Sequence, residues 1–215
     1  MAEYGLSRDR LLNKEQKEGI SFVDILLIVM LAVLILNVLV QYYWLSPVKV
    51  QGTSMNQTLQ NYDWLYMDKL KNPERGDVVV FVKKGNVNYI KRIIALEGDE
   101  LYSDNGVIYL KKKGENDFKA LKEDYSYYMK APFGTYILVG EVIKDIPLTK
   151  VGKGKMYVLG DNRWDSSDSR TIGLVDTSKI LGIVPDWAIK HKETYGGYLE
   201  FVERVNEWFR KLKKG

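Results

Sequence analysis

No cysteine occurs in the 215-residue chain, and histidine occurs once, at His191. The first absence removes disulfides, cysteine nucleophiles and thiolate metal sites. The second leaves no His-rich metal site and only one partner for any Ser-His pair. A strong charge of one sign is also missing. The net charge is +4, from interspersed lysines and acids rather than one basic block, so nucleic-acid binding has little support. Repeats and low-complexity tracts are absent. Tyrosine, by contrast, is abundant at 15 residues, which suits strands and interfaces.

One hydrophobic run stands out. Residues 25–36 are apolar without interruption, Val38, Leu39 and Val40 continue the run past Asn37, and Tyr42, Tyr43, Trp44 and Leu45 follow. A helix over residues 25–45 rises about 31 Å, close to the hydrocarbon thickness of a bilayer, and the Tyr-Tyr-Trp cluster has the character of an interfacial aromatic belt. A cleaved signal peptide would be shorter and followed by small residues, and a core helix is rarely apolar on every face. We therefore expect a transmembrane helix over 22–45, ended by Pro47. Asn37 is read as a satisfied polar group or a helix contact. Arg8, Arg10, Lys14 and Lys17 precede the segment, and only Lys49 lies in the twenty residues after it. Basic flanks favour the cytoplasmic side. Residues 1–21 are thus expected inside the cell and residues 46–194 outside it, in a single-pass cell-membrane protein.

Beyond the span the chain has short strand patterns with turn punctuation. Residues 48–51, 65–67, 77–82, 89–96, 101–102, 107–110, 136–139 and 155–159 read as strands. The 77–82 segment is apolar on both faces and should be central. Asp104-Asn105-Gly106 is a hairpin turn signal, and residues 111–130 read as a loop or small ribbon, part of a small β-ribbon insertion at about 100–150. The expected fold class is mainly β, a barrel or sandwich. In the tail, Phe201, Val205, Trp208 and Leu212 fall at helical spacing, with Arg210, Lys211, Lys213 and Lys214 near the end. This predicts a C-terminal amphipathic helix over 195–215, either lying on a membrane surface or packed on the domain.

Three segments carry chemistry. Gly52-Thr53-Ser54-Met55 follows a strand directly, and its glycine permits close approach of backbone and substrate. Most serines in such places are turn residues. In Tyr89-Ile90-Lys91-Arg92-Ile93-Ile94-Ala95-Leu96, strand parity sets Lys91 beside Ile93 and Ala95, with Arg92 on the other face with Ile90 and Ile94. A lysine among aliphatic groups is desolvated, its pKa falls, and the neutral amine can take a proton from a serine hydroxyl; the plainer alternative is a snorkelling edge-strand lysine. The third segment runs from Gly160 to Arg170, Gly-Asp-Asn-Arg-Trp-Asp-Ser-Ser-Asp-Ser-Arg. It is either a solvated loop or a hydrogen-bonded network that orients catalytic groups.

Together, in this order and behind one N-terminal span, these segments resemble the bacterial type I signal peptidases, over roughly residues 22–184. Ser54-Met55-Asn56-Gln57-Thr58-Leu59 is similar to that family's S-M-x-P-T-L box. Tyr89 to Arg92 with Gly98-Asp99 is similar to its K-R-x-x-x-x-P-G-D box, and residues 160–170 to its G-D-N-R-x-x-S-x-D-S-R box. Gln57 and Glu97 stand where the family has proline, which presets backbone angles.

The resemblance implies a membrane-bound serine endopeptidase that removes signal peptides from exported preproteins after small residues, with an Ala-x-Ala preference. It implies Ser54 as nucleophile and Lys91 as general base, with Ser166 hydrogen-bonded to the lysine amine. It implies an Arg92–Asp161 ion pair, Asp168 and Arg170 supporting Ser166, and Met55 lining the substrate groove. The Ser54 N–H is implied as an oxyanion donor. Gly52 stands where some relatives add a serine hydroxyl. No metal or organic cofactor is implied, and the partners are signal peptides, the lipid bilayer and, as a further candidate, the secretion translocon. Three rivals were weighed. One is a catalytically impaired homologue acting as a binding or accessory protein. A soluble Ser-Lys self-cleaving repressor is opposed by the membrane segment. A Ser-His enzyme would want histidine at position 91. The Asn56-Gln57-Thr58 sequon beside the nucleophile favours a non-glycosylating host.

Overall fold

The computed structural model describes residues 20–83, 87–126 and 145–212. The chain divides into two compact units, the second beginning at Trp44. The first contains helix α1 (Phe22–Tyr43), 22 residues long and apolar enough to cross a bilayer. Ser21 and Asp24 set its start: the Ser21 N–H donates to Asp24 Oδ2 (2.9 Å) and the Val23 N–H to Ser21 Oγ (3.3 Å), a reciprocal cap. Asn37 Oδ1 accepts from Gln41 Nε2, one turn on, at 2.9 Å. Its polar group is therefore satisfied inside the helix.

The helix stops two residues earlier than expected, and Pro47 does not end it. Pro47 lies within strand β1 (Leu45–Lys49), opposite Tyr66 of β2 (Trp64–Asp68). The strand also begins earlier than the 48–51 reading. Proline is tolerated there because, among the described residues, β1 is an edge strand with an unpaired side.

The remaining strands are β3 (Val78–Lys83), β4 (Val87–Leu96), β5 (Glu100–Asp104), β6 (Val107–Lys111), β7 (Lys119–Ala120), β8 (Thr149–Lys150), β9 (Lys155–Leu159), β10 (Val175–Asp176) and β11 (Ile180–Val184). They form a seven-stranded sheet, β1-β2-β11-β3-β4-β9-β10, and a four-stranded sheet, β7-β6-β5-β8. The fold is mainly antiparallel β. Strand β3 is the middle strand of the larger sheet, as its two-faced apolar pattern requires. The Asn105-Gly106 turn of the β5–β6 hairpin has φ of 49° and 79°, the left-handed geometry of a tight hairpin. The expected strand at 136–139 lies outside the described residues.

Strand β4 departs from simple alternation. Its pairing with β9 shifts register between Ile93 and Ala95. Ile93 packs with Val79, Phe81 and Val158, whereas Ala95 joins Ile94 in a different cluster with Leu101, Leu110 and Leu159. The irregularity reverses parity, so the expected sharing of a face by Lys91 and Ala95 fails at that point. Short helices α2 (Ser169–Ile172) and α3 (Asp186–Lys190) and a 3-10 turn (Thr177–Lys179) connect the strands, and the chain closes with α4 (Lys192–Leu212).

Candidate active site

Ser54 sits in a turn between β1 and β2. The Val50 N–H donates to Asp63 O (2.9 Å) and the Tyr62 N–H to Val50 O (2.9 Å), closing the loop at its base. Within it, the Asn56 N–H donates to Thr53 O (3.0 Å) and the Leu59 N–H to Met55 O (2.9 Å). Met55 is 1% exposed and Leu59 is buried, both packed with Val50, Leu65 and Val80. Met55 borders the cleft described below, but its side chain is chiefly a core anchor holding Ser54 in position.

Lys91 lies on β4 opposite Val79. It is 4% exposed. Its Nζ lies 2.6 Å from Ser54 Oγ and 2.9 Å from Ile90 O. Burial pushes the amine down from 10.5 to about 8, against the opposing pull of Asp168, Asp161 and Asp165. Desolvation wins because an ammonium loses its hydration in a non-polar strand environment and gains no direct carboxylate contact.

Arg92, next along the strand, faces the other way. Its Nε and Nη2 donate to the two carboxylate oxygens of Asp161 at 2.8 and 2.6 Å. Nη1 donates to Gly76 O at 2.7 Å, and the guanidinium lies 4.0 Å from the ring centroid of Tyr125. Thr58 Oγ1 donates to Asp161 Oδ2 at 2.5 Å. One buried ion pair therefore joins the lysine strand, the serine loop and the 160–170 segment. Bidentate geometry of this kind suits arginine alone.

The 160–170 segment is buried at both ends where a solvated loop would be exposed throughout: Asp161, Asn162, Arg163, Asp168 and Ser169 are inside, while Trp164, Asp165 and Ser167 between them stay exposed. Asp168 caps α2, pairs with Arg170 through Nε (2.9 Å) and Nη2 (2.8 Å), and accepts the Gly160 N–H (3.0 Å). Burial alone would raise its carboxyl, but the Arg170 hydrogen bonds and charge, with the Gly160 N–H and the nearby Ser166 hydroxyl, hold it below the usual carboxylate range.

The expected hydrogen bond from Ser166 to the lysine amine is not made. Lys91 instead spends its contacts on Ser54 Oγ and Ile90 O. Ser166 Oγ is buried without a formed hydrogen bond, close enough to Asp168 to influence it. It also crowds Gly160, where an added Cβ would stand 2.3 Å from Ser166 Oγ and 2.5 Å from Ser54 O. Only glycine fits there.

Several site residues escaped the sequence reading. The Asn162 N–H donates to Ser54 O (3.0 Å), Asn162 Nδ2 to Thr53 O (3.2 Å), and Thr53 Oγ1 to Asp165 Oδ2 (2.7 Å). Ser169 Oγ accepts the Val158 N–H at 2.9 Å. Arg163, also buried, binds Glu123, a residue from the lysine-rich stretch that carried no signal of its own. The polar density of residues 160–170 was the only available clue.

Gln57 and Glu97 have replaced their family prolines in opposite ways. Gln57 has φ of 83°, an angle proline cannot take. Glu97 Oε2 accepts the Gly154 N–H at 2.8 Å, so a hydrogen bond now ties down its turn. Beside it, Gly98 (φ 88°) turns the chain and Asp99 is buried against Arg75, at 2.6 and 2.7 Å, and against the N–H groups of Leu96 and Lys113.

Ser54 and Lys91 open on a cleft of about 790 Å³, bordered by Val48, Gly52, Tyr89, Ile90 and Asp165. One wall follows edge strand β1. The other follows residues 87–91 of β4, which among the described residues pair with β3 alone, since β9 joins only from Arg92 onward.

A family model described as signal peptidase, peptidase S26, matches residues 22–186. The chain belongs to this family. Signal peptidase IB of Staphylococcus aureus (strain Mu50) is 35% identical over 149 residues, covering 65% of this chain and 75% of that protein. Signal peptidase I P of Bacillus subtilis subsp. natto is 34% identical over 179 residues, 80% of this chain and 91% of that one. A crystal structure of a signal peptidase I from Enterococcus faecalis V583 has 26% identity and a TM-score of 0.39, over 54% of this chain and 98% of that chain. Membership makes the chain a peptidase of signal-peptide processing, and the apolar helix α1 accords with a membrane-anchored member.

Proposed function

We propose that this signal peptidase cleaves preproteins with a Ser54 nucleophile and a neutral Lys91 base, on the outer side of the membrane spanned by α1. The observation that carries the reading is the 2.6 Å approach of a buried lysine amine to a serine hydroxyl. Ser54 Oγ attacks the scissile carbonyl carbon while its proton passes to Lys91 Nζ. The Ser54 N–H, which makes no hydrogen bond with the described residues, receives the oxyanion. The tetrahedral intermediate collapses, Lys91 returns the proton to the leaving amine, and the acyl group stays on Ser54. Water, deprotonated by Lys91, then releases the acid.

Arg92 and Asp161 hold the three segments together, Asp168 and Arg170 brace the Ser166 turn, and Ser166 steers the amine when substrate arrives. The edges along the cleft, unpaired among the described residues, favour an extended peptide, which can satisfy their backbone groups as an added strand. Cleavage after small residues is part of the same proposal, drawn from the family resemblance. The basic residues before α1 favour an inside N-terminus.

The test is preprotein cleavage by the full-length protein in vesicles. Ser54→Ala and Lys91→Ala each lower it by on the order of 10³-fold or more. Full activity in either variant defeats the proposal, and absence of cleavage by the unaltered protein returns the inert-homologue reading.

A further inference from the structure

Helix α4 (Lys192–Leu212) lies wholly beyond the family match, which ends at residue 186. Its two halves differ. The first half is fastened to the domain: Leu199 is 2% exposed, Tyr195 meets Tyr66 and Trp187 edge to face, and Lys192 bridges Asp63 at 2.5 Å. The second half presents apolar bulk outward. Phe201, Trp208 and Leu212 recur at spacings of seven and four residues, on one face, and are 57%, 57% and 59% exposed. With Arg204 and Val205, Phe201 and Trp208 line an open groove.

Charge decides what covers that face. Arg204 and Lys211 border it on one side, and Lys213 and Lys214 follow in sequence; Glu200 and Glu207 lie further round the same flank, and on the far side Glu203 pairs with Arg210 at 2.6 Å. Large aromatic and aliphatic groups whose nearest charged neighbours on the helix are basic match the boundary between acyl chains and anionic headgroups. The domain is also joined without a linker to the apolar helix: α1 ends at Tyr43 and β1 begins at Leu45. Glu203, on the same helix, lines the catalytic cleft.

We infer that the second half of α4 lies in the surface of an anionic bilayer, with Phe201, Trp208 and Leu212 toward the acyl chains and Arg204 and Lys211 at the phosphates. The same helix thereby holds one rim of the cleft against the membrane, which goes beyond the cleavage chemistry proposed above and does not depend on it.

The chain lacks cysteine, so Leu212→Cys and Glu207→Cys each offer one site for a nitroxide. The full-length protein is placed one copy per nanodisc, which excludes a second copy as cover, in phosphatidylglycerol. The expected result is a label at 212 open to dissolved oxygen and several-fold less accessible to a water-soluble nickel chelate than the label at 207. Equal nickel access at both sites overturns the inference. So does shielding of 212 from both reagents, which marks protein cover. Charge reversal by Arg204→Glu with Lys211→Glu is expected to return the 212 label to water, and an unmoved label overturns the anionic-lipid assignment. Loss of cleavage chemistry through Ser54→Ala leaves these readouts unchanged, so the two proposals fail separately.

Discussion

Lys91 and Asp161 lie near one another in a buried network, yet the carboxylate pairs with Arg92 and leaves the lysine without a direct anionic partner. That division matters. A lysine with its own carboxylate would stay charged, whereas among the described residues Lys91 has only Ser54 Oγ and a carbonyl within hydrogen-bonding reach, and so burial dominates.

The pH dependence follows. Lys91 must be neutral to accept the Ser54 proton, and its amine titrates at about 8. The rate of preprotein cleavage is expected to rise with pH through that value and then level off. A profile that peaks near pH 5 contradicts a lysine base.

Stability should carry the opposite trace of the same burial. The amine titrates at 10.5 when free and about 8 when folded. Below pH 8 both states hold the proton, and the folded state carries a cost on the order of 3 kcal/mol. Between 8 and 10.5 the unfolded chain binds more protons, so stability rises with pH. Lys91→Met is therefore expected to raise stability at pH 7 by up to about 3 kcal/mol, with the gain shrinking toward pH 10.5. Denaturant unfolding across that range checks this, and a gain independent of pH refutes it.

Ser166 separates orientation from packing. Its hydroxyl is buried without a formed hydrogen bond, a situation that costs about 1 kcal/mol or more. Ser166→Ala should leave stability equal or higher while cleavage falls by about tenfold. If thermal unfolding and cleavage are both unchanged, Ser166 has no part in steering the amine.

Gln57 is strained where its relatives are rigid. With φ at 83°, Gln57→Gly should stabilise by about 1 kcal/mol. Gln57→Pro, although it restores the family residue, should lower both melting temperature and cleavage, because proline is held near φ −65°. A melting temperature unchanged or raised in the proline variant shows that the turn has a different backbone.

The apolar run from Ile25 was legible because a span needs only length and composition, and the Asn105-Gly106 hairpin because its turn chemistry is local. The central place of β3 was legible from its two-faced pattern. The three motif segments identified Ser54, Lys91 and the Arg92–Asp161 pair as candidates through resemblance. Misreadings came where tertiary pairing overrides local rules. Pro47 seemed a helix stop, but a free sheet edge admits it. Ala95 seemed to share a face with Lys91, but the register shift against β9 moved it. Glu123 carried no local signal at all, because its importance comes from Arg163, 40 residues away.

The sequence by itself determined the apolar helix, the antiparallel β character and the set of reactive groups, since these depend on composition, periodicity and residue type. Only the tertiary structure decided that the buried Lys91 amine meets Ser54 Oγ at the cleft, that Ser166 makes no bond to it, and that α4 turns Phe201, Trp208 and Leu212 outward. Those outcomes depend on which strands pair and what water is excluded, and contacts between distant parts of the chain set both.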